Sequence, residues 1–309
     1  MTLIECENYK KCINCNSANL SFEAEGKDYN YETTDKNFIW VSCNECRHFF
    51  LKNRPIKKFH KNIYPNTLKN YEEFTDQSLS FKIKNYLTYV HLKKFIYSDK
   101  KNLSVLDIGC ASGMFLDIIS SKFKQFSKFD GLDISEAATK KAKEKGYNIF
   151  TSLIEDFKFK NNYDLISMFQ VIEHVHDPMD VIKKLYKNLN KDGILLIETP
   201  NPDCFDRIIF KGYWEGYHIP RHFNLFTIDN FTNKLKEIGF SKVIISRKMQ
   251  PVHWSISIKH YLKDKKRFKF LYDNIKHSSF FLNVIFSFFD LFQIIFFKKS
   301  SNVAYIAVK

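Results

Sequence analysis

A stretch that combines one acid with two glycines could hold a ligand through its backbone. Asp107 ends an apolar run, and Gly109 and Gly113 follow closely. Because glycine lacks Cβ, the chain can turn sharply there and approach a ligand. A second acid, Asp133, comes after another short apolar segment, about 20 residues beyond the loop, where a carboxylate can accept hydrogen bonds from a ribose. The pattern predicts a site for a nucleotide-like cofactor.

Two identically spaced cysteine pairs indicate a metal site. Cys12 and Cys15 form the first pair, and Cys43 and Cys46 form the second. Two Cys-x-x-Cys turns can bring four thiolates together as the ligands of a closed structural zinc site. Residues between the pairs alternate enough for short strands, so we expect a zinc ribbon over residues 1–52. The absence of a further ligand at matching spacing disfavours a catalytic zinc.

His174 could act as a base in group transfer. His174 follows Gln170 by four positions, directly after a predicted strand. A histidine with an ordinary pKa of about 6.5 can accept a proton at neutral pH. The alternative is a structural histidine bonded to a neighbouring backbone carbonyl, and the sequence leaves both interpretations open.

A second segment with histidines begins at Tyr217. His218 and His222 are four residues apart, although Pro220 between them interrupts any helix. That spacing admits a metal, but no carboxylate lies nearby at matching spacing. We favour His222 as a second candidate base and Arg221 as the anchor for a substrate phosphate. Tyr217 and His218 complete the set of predicted substrate-binding residues.

Regularly alternating strands and helices must position these groups. The predicted strands are 104–108, 128–132, 148–151, 163–169, 194–199, 241–246 and 302–308, and the predicted helices are 114–126, 136–145, 179–189 and 228–238. This alternation implies a parallel sheet with helices on both faces. Side chains at the carboxyl ends of the strands then meet at the edge where cofactors bind.

Composition limits the partners and the compartment. The 309 residues have a formal net charge of +14, but only six of the basic residues are arginine, the residue favoured for bidentate phosphate recognition. We therefore disfavour nucleic acid and expect a general attraction for anionic sugar nucleotides or membrane surfaces. The polar start of the chain and its seven cysteines favour a cytoplasmic protein.

The segment 280–297 is almost wholly apolar. Its polar residues form one narrow stripe at helical spacing, and Asp290 within it disfavours a membrane-spanning helix. Three interpretations remain open. The helix covers the catalytic domain, forms a homodimer contact, or lies on a membrane with Lys298 and Lys299 at the headgroups.

The loop from Asp107 to Gly113, followed by Asp133, resembles the first motifs of class I S-adenosylmethionine-dependent methyltransferases. The resemblance implies a Rossmann-like seven-stranded sheet with an antiparallel last strand, and S-adenosylmethionine as the cofactor. Ala111 stands where an additional glycine often falls, and an alanine is tolerated there if the position has a negative φ. The residues that the resemblance assigns to the cofactor are Asp107, Gly109, Cys110, Gly113, Asp133, Ile134, Ile154, Glu155 and Gln170.

The acceptor is predicted from a further resemblance. The ribbon ahead of such a domain looks like sugar C-methyltransferases, and the segment from Tyr217 resembles that of methyltransferases from surface-polysaccharide clusters. Methyl transfer to a hydroxyl of a sugar or nucleotide-linked sugar is thus implied. RNA methylation, a quinone or lipid-like acceptor, and a non-catalytic cofactor-binding module remain alternatives. We divide the chain into a ribbon (1–52), a helical connector (53–102) and a methyltransferase domain (103–309) with a helical insertion (247–300).

Overall fold

The computed structural model describes residues 4–59, 62–64, 86, 89–90, 92–96, 100–276 and 279–309. The strands in these ranges are β1 (Cys6–Asn8), β2 (Leu20–Gly26), β3 (Phe38–Cys43), β4 (His48–Leu51), β5 (Asn53–Pro55), β6 (Leu103–Ile108), β7 (Phe126–Asp133), β8 (Asn148–Thr151), β9 (Tyr163–Phe169), β10 (Leu189–Pro200), β11 (Asn224–Phe226), β12 (Lys242–Lys248) and β13 (Asn302–Val308). The α-helices are α1 (Met114–Lys122), α2 (Glu136–Glu144), α3 (Pro178–Lys187), α4 (Phe205–Phe210), α5 (Ile228–Ile238), α6 (Pro251–Asp264), α7 (Lys269–Asn274) and α8 (Phe280–Phe297).

The largest sheet has seven strands in the order β12-β13-β10-β9-β6-β7-β8. Neighbouring strands from β10 to β8 run parallel, whereas β13 is antiparallel to both β10 and β12. The predicted α/β fold with an antiparallel last strand is therefore confirmed. The carboxyl ends of β6, β7, β9 and β10 meet at one edge, where the predicted cofactor residues lie.

Alternation along β6 builds a core on each face of this sheet. Leu106 and Ile108 pack in the cluster that contains Ile182 of α3, whereas Val105 packs with Leu116 of α1 on the opposite face. This division follows because successive side chains of a strand point to opposite faces. The inner strands β6, β9 and β13 are buried on both faces, which is why they read as continuous apolar runs.

Local signals set most helix boundaries. The Oγ of Ser135 accepts a hydrogen bond from the backbone N of Ala138 (3.2 Å) and begins α2, as the sequence predicts. Helix α1 ends at Lys122, four residues before its predicted end. The earlier end follows because Phe126 already pairs with Leu103 at the start of β7.

The cysteine-containing region shares a sheet with a distant part of the chain. Strand β11 pairs antiparallel with β4 to give the order β11-β4-β3-β2. The ring of Trp40 in β3 also stacks on Tyr217, with 4.7 Å between the centroids. The predicted boundary at residue 52 therefore does not mark the edge of this sheet. Most of the predicted connector lies outside the described residues, although Leu92 and Ile96 pack on the α1 face of the core.

Between β12 and β13 the chain forms α6, α7 and α8. Helix α8 is the one candidate membrane span found among the described residues, by length and composition alone. Its 18 residues have a mean hydropathy of 2.0, and 11% of them are buried.

Candidate active site and cysteine cluster

The loop after β6 has backbone angles that favour glycine. Gly109 and Gly113 have φ values of +76° and +79°. A Cβ on Gly109 would lie 2.4 Å from Cγ2 of Val171, so no larger residue fits there without displacement. Ala111 does not meet the condition of a negative φ, because its φ is +41°. Its backbone N donates to Oδ2 of Asp133 at 2.9 Å, and this bond helps to hold the unusual turn.

Asp133, at the end of β7, connects the loop after β6 with the loop after β7. Its Oδ2 accepts from Ala111 N, and its Oδ1 accepts from Ser135 N at 2.9 Å. Each carboxylate oxygen has a second lone pair, so the side chain can still accept hydrogen bonds from a ribose. The next residue, Ile134, is 49% exposed and offers an apolar surface beside that carboxylate.

Asp107 is buried at the end of β6. Its Oδ1 accepts a hydrogen bond from the hydroxyl of Ser167 on β9 at 2.7 Å. Burial and, to a smaller extent, the charge of Asp133 raise the pKa of Asp107 to about 7, although the hydrogen bond from Ser167 acts in the opposite direction. A cationic ligand group would favour the ionised form of this carboxyl group. Ser167 was not predicted, because its strand reads as a simple core strand.

Gln170 has a strained backbone at the same edge. Its φ is +56°, and its Nε2 donates to Oδ1 of Asn302 at 3.1 Å. The Nδ2 of Asn302 in turn donates to Oε1 of Glu198 at 2.8 Å. A left-handed non-glycine residue held by such a network is a recognised feature of functional sites. Asn302 comes from the last strand, so no local pattern could have linked it to Gln170.

The side chains of three predicted cofactor residues, Ile154, Glu155 and Cys110, contact other parts of the protein. Ile154 is 4% exposed and packs in the core, so its predicted adenine contact is not supported. Oε1 of Glu155 accepts from the backbone N of His176 at 3.3 Å. Cys110 is buried, and its Sγ lies against Gly131. A Cβ added to Gly131 would lie 2.6 Å from this Sγ. Cys110 can therefore meet a cofactor through its backbone alone.

Three histidine rings lie together beside the carboxyl edge of the seven-stranded sheet. Ring centroids are 4.6 Å apart for His174 and His222, and 5.0 Å apart for His218 and His222. Nδ1 of the half-buried His174 lies 3.0 Å from the backbone carbonyl of Arg221. The hydroxyl of Tyr64 lies 3.1 Å from the same Nδ1 and can accept or donate. Because the carbonyl can only accept, its contact favours the tautomer with the proton on Nδ1 and the lone pair on Nε2.

Glu173 is a further polar residue that the sequence did not predict. It is fully buried, and its Oε2 accepts from the hydroxyl of Thr199 at 3.0 Å. Its Oε1 has no hydrogen-bond partner among the described residues and lies 3.9 Å from Nε2 of His222. Burial raises the pKa of Glu173 to about 8. Glu173, His174 and His222 each have a potential ligand atom within 4.8 Å of the others, so this group could also hold a metal ion.

His222 is less suited to proton transfer than predicted. Its ring is only 6% exposed, and Nδ1 lies 2.8 Å from the carbonyl of Gly216. Burial lowers the pKa of His222 to about 4. It is therefore neutral and enclosed, and its position suits it to support the ring of His174. Burial likewise lowers the pKa of His218.

Arg221 and Tyr217 do not face a substrate. The guanidinium of Arg221 is fully buried, and it forms a bidentate ion pair with Asp28. It also donates to the carbonyls of Ile63 and Ile219, both at 2.8 Å. Four of its five N–H donors are bound and the group is enclosed, so it does not reach a substrate phosphate, which corrects the predicted anchor. Tyr217 is 1% exposed and packs inside the aromatic core, so its predicted substrate contact is also wrong.

The four paired cysteines converge as predicted. Cys12 and Cys46 have their Sγ atoms 3.6 Å apart, and Cys15 and Cys43 have theirs 3.5 Å apart. These separations exceed the roughly 2.05 Å of a disulfide. They are close to the ~3.8 Å expected between sulfurs on a tetrahedron with bonds of about 2.3 Å.

The two cysteine turns share one backbone form. The residues that follow each pair, Asn16 and Arg47, have φ values of 62° and 57°. Their backbone N atoms donate to the carbonyls of Cys12 and Cys43, each at 2.8 Å. Nδ1 of the buried His48 lies 3.9 Å from Sγ of Cys12. The cluster is thus a pair of equivalent turns with a histidine beside it.

Comparisons with known proteins identify the family. Residues 82–244, more than half of the chain, match a family model described as a methyltransferase domain. A ubiquinone biosynthesis O-methyltransferase of Rickettsia canadensis is 33% identical over 108 residues, which are 34% of this chain and 46% of the relative. A malonyl-[acyl-carrier protein] O-methyltransferase of Ilyobacter polytropus is 30% identical over 137 residues, 40% of this chain and 51% of the relative. The chain thus spans about half the length of these relatives.

A solved structure shows the same fold at low identity. A phosphoethanolamine N-methyltransferase of Haemonchus contortus, in complex with S-adenosyl-L-methionine, aligns with a TM-score of 0.50 and 16% identity. The alignment covers 94% of this chain and 68% of that protein. The chain therefore belongs to the methyltransferase-domain family, and it shares its fold with this solved structure.

Proposed function

We propose that this protein transfers a methyl group to a hydroxyl of a small molecule, with His174 as the base. The observation that supports this is the half-buried imidazole beside the carboxyl edge, whose Nδ1 proton is favoured by the Arg221 carbonyl. Its Nε2 has the lone pair that would take the hydroxyl proton as the oxygen attacks. The cofactor supplies the activated methyl group.

The cofactor would lie along the carboxyl ends of β6, β7 and β9. We assign Asp107 to the cationic methionine end and Asp133 to the ribose, with Gly109 and Gly113 permitting close approach of the loop. The amide of Gln170, held by Asn302, would line the methionine end. Asp107 and Gln170 lie close in the sheet because β6 and β9 are hydrogen-bonded neighbours.

The acceptor is assigned at the level of chemical class. A sugar or nucleotide-linked sugar hydroxyl is our first candidate, on the resemblance of the histidine-containing segment. A hydroxyl of a quinone or lipid-like molecule is the second candidate. One support is that α8 exposes several phenylalanine side chains, which suit an apolar environment. The other is that the matched relatives include an O-methyltransferase of ubiquinone biosynthesis. RNA and a purely cofactor-binding role are alternatives that the same assay tests. A cytoplasmic location stays a prediction.

We further propose that the four paired cysteines hold a structural zinc ion. The support is the close approach of four sulfurs through two equivalent turns. A closed set of four thiolates leaves no open position for catalysis. The ion would therefore stabilise the sheet that contains β11, next to the histidine segment.

A transfer assay tests the function. Purified protein and isotopically labelled S-adenosylmethionine are incubated with nucleotide sugars, lipid-linked sugars, quinols with a free hydroxyl, and RNA. A mass shift on one class identifies the acceptor. Retained turnover after His174→Ala would contradict the assigned base, and methylated RNA would refute the small-molecule assignment.

A further inference from the structure

Helix α8 turns its polar side chains toward the protein. Asp290 and Gln293 are fully buried. Asp290 accepts hydrogen bonds from the backbone N of Gln250 (2.6 Å) and from Nε1 of Trp254 (3.0 Å). Oε1 of Gln293 accepts from the backbone N of Phe205 at 3.0 Å. These bonds fix the rotation of the helix, because turning it would leave buried polar groups without partners.

The opposite face of α8 is apolar and exposed. Six large side chains on it are more than half exposed, namely Phe280, Phe281, Phe288, Phe292, Ile295 and Phe296. Two further exposed phenylalanines lie on and beside α7, where Phe268 is 67% exposed and Phe270 is 80% exposed. Helices α7 and α8 both pack against α6. We call these residues of α8 and α7 the aromatic face. A concentration of exposed large apolar side chains of this kind marks an interaction site.

Positive charge is concentrated in the same part of the chain. Residues 247–300 contain eleven lysine or arginine residues against three aspartates, one of which is the buried Asp290. This segment accounts for more than half of the net charge of +14. Lys298 and Lys299 directly follow α8, and Lys299 forms an ion pair with Asp203. Lys265, Lys266 and Arg267 precede α7.

These observations favour a bilayer over a second copy of the chain. Pairing two aromatic faces would set one strongly positive segment against another, and such like-charge contacts are unfavourable. An anionic bilayer matches both features, since aromatic rings enter the headgroup boundary while lysines attract the headgroups. A spanning helix does not fit, because the polar stripe of α8 is already bound to the protein.

We propose that the aromatic face docks on the surface of a bilayer that contains anionic phospholipids. The C-terminal end of α8 leads directly to the proposed active site. Ser301 donates to Asp206 at 2.7 Å, and the following Asn302 accepts from Gln170. Docking would hold the carboxyl edge of the sheet near the bilayer surface, whichever acceptor the enzyme uses.

Vesicle flotation with the purified 309-residue protein tests this proposal. We expect the protein to float with phosphatidylcholine vesicles that contain phosphatidylglycerol, and to bind far less to phosphatidylcholine alone. The double substitution Phe288→Asp with Phe292→Asp should lower vesicle partitioning at least about tenfold. High salt should weaken binding by screening. Phe22→Asp is the matched control, because Phe22 is 67% exposed like Phe288 but lies in β2.

Each other result overturns the proposal. Unchanged flotation of the double variant would remove the aromatic face from the contact, provided that thermal melts show both variants folded. Equal binding to neutral vesicles would remove the role of anionic lipid. A different outcome is a wild-type protein that does not bind vesicles but is a dimer by light scattering. If the double variant were then a monomer, a second copy of the chain would cover this face.

Discussion

Asp28 and Arg221 form a fully buried, bidentate ion pair between the cysteine-containing region and the histidine segment. Nη1 and Nη2 of Arg221 donate to Oδ1 and Oδ2 of Asp28 at 2.9 and 2.6 Å. The two residues are 193 positions apart in sequence. The carbonyl of the same Arg221 orients His174, so the ion pair links the ribbon to the proposed base.

Loss of this ion pair should strongly destabilise the protein. Arg221→Ala would leave the carboxylate of Asp28 buried without its partner, which costs about 3–5 kcal/mol. The pKa of Asp28 is lowered despite its burial, because hydrogen bonds and charge from Arg221 favour the ionised form. Urea unfolding measures the difference. Lys234→Ala, which removes the surface pair with Glu237, is the control and should cost about 1 kcal/mol or less.

Affinity for S-adenosylmethionine should depend on the ionisation of Asp107. The pKa of this carboxyl group is about 7 without ligand, so only about a tenth is ionised one pH unit lower. If the cationic cofactor binds the ionised form, its Kd should rise about tenfold between pH 8 and pH 6. Calorimetry measures the Kd. Asp107→Asn should bind weakly at both values, and an unchanged slope in that variant would exclude Asp107 as the source.

His174 and His222 should differ in their contributions to turnover. His174→Ala should lower kcat by about 10²–10⁴-fold with little change in cofactor affinity, because it removes the proposed base. His222→Ala should act mainly through stability and the position of the neighbouring ring. Single-turnover transfer and calorimetry separate the two effects. A larger loss of kcat for the folded His222 variant would reverse these assignments.

Glu173 should make stability fall as pH rises. Its pKa is raised to about 8 in the folded protein, against about 4.3 in an unfolded chain. The protonated side chain of Glu173 stabilises the folded protein. This contribution to stability is fully present below the pKa of the unfolded chain, and it is lost as pH rises through about 8. Glu173→Gln should therefore gain stability relative to wild type between pH 5 and pH 8, with no further gain above. Denaturant titrations at several pH values test this.

Removal of metal should affect more than the ribbon. We expect a chelator, or Cys12→Ser, to unfold the sheet that includes β11 and to reduce methyl transfer, because the histidine segment leads into that strand. Metal analysis of the purified protein should give one zinc per chain. Cys6→Ser is the control, since Cys6 lies outside the four-sulfur cluster. Full folding and activity in a metal-free protein would contradict a structural zinc.

Short-range patterns were sufficient for much of the fold. Strand β9, helix α5 and strand β13 have the bounds that their apolar periodicity and caps predict. The loop glycines and the cysteine turns could be identified because their chemistry depends on a few residues close in sequence. These features reflect local backbone preference and spacing, which a sequence contains directly.

The sequence alone thus determined the alternating sheet, the glycine loop with its two acids, and the two cysteine pairs. Only the tertiary structure decided that Arg221 is bound to Asp28, that Glu173 faces His222, that Asn302 holds Gln170, and that α8 turns its polar stripe inward. The physical reason is that burial and pairing depend on groups brought together from distant parts of the chain. The same arginine or aspartate is a surface ligand or a core partner according to what packs against it.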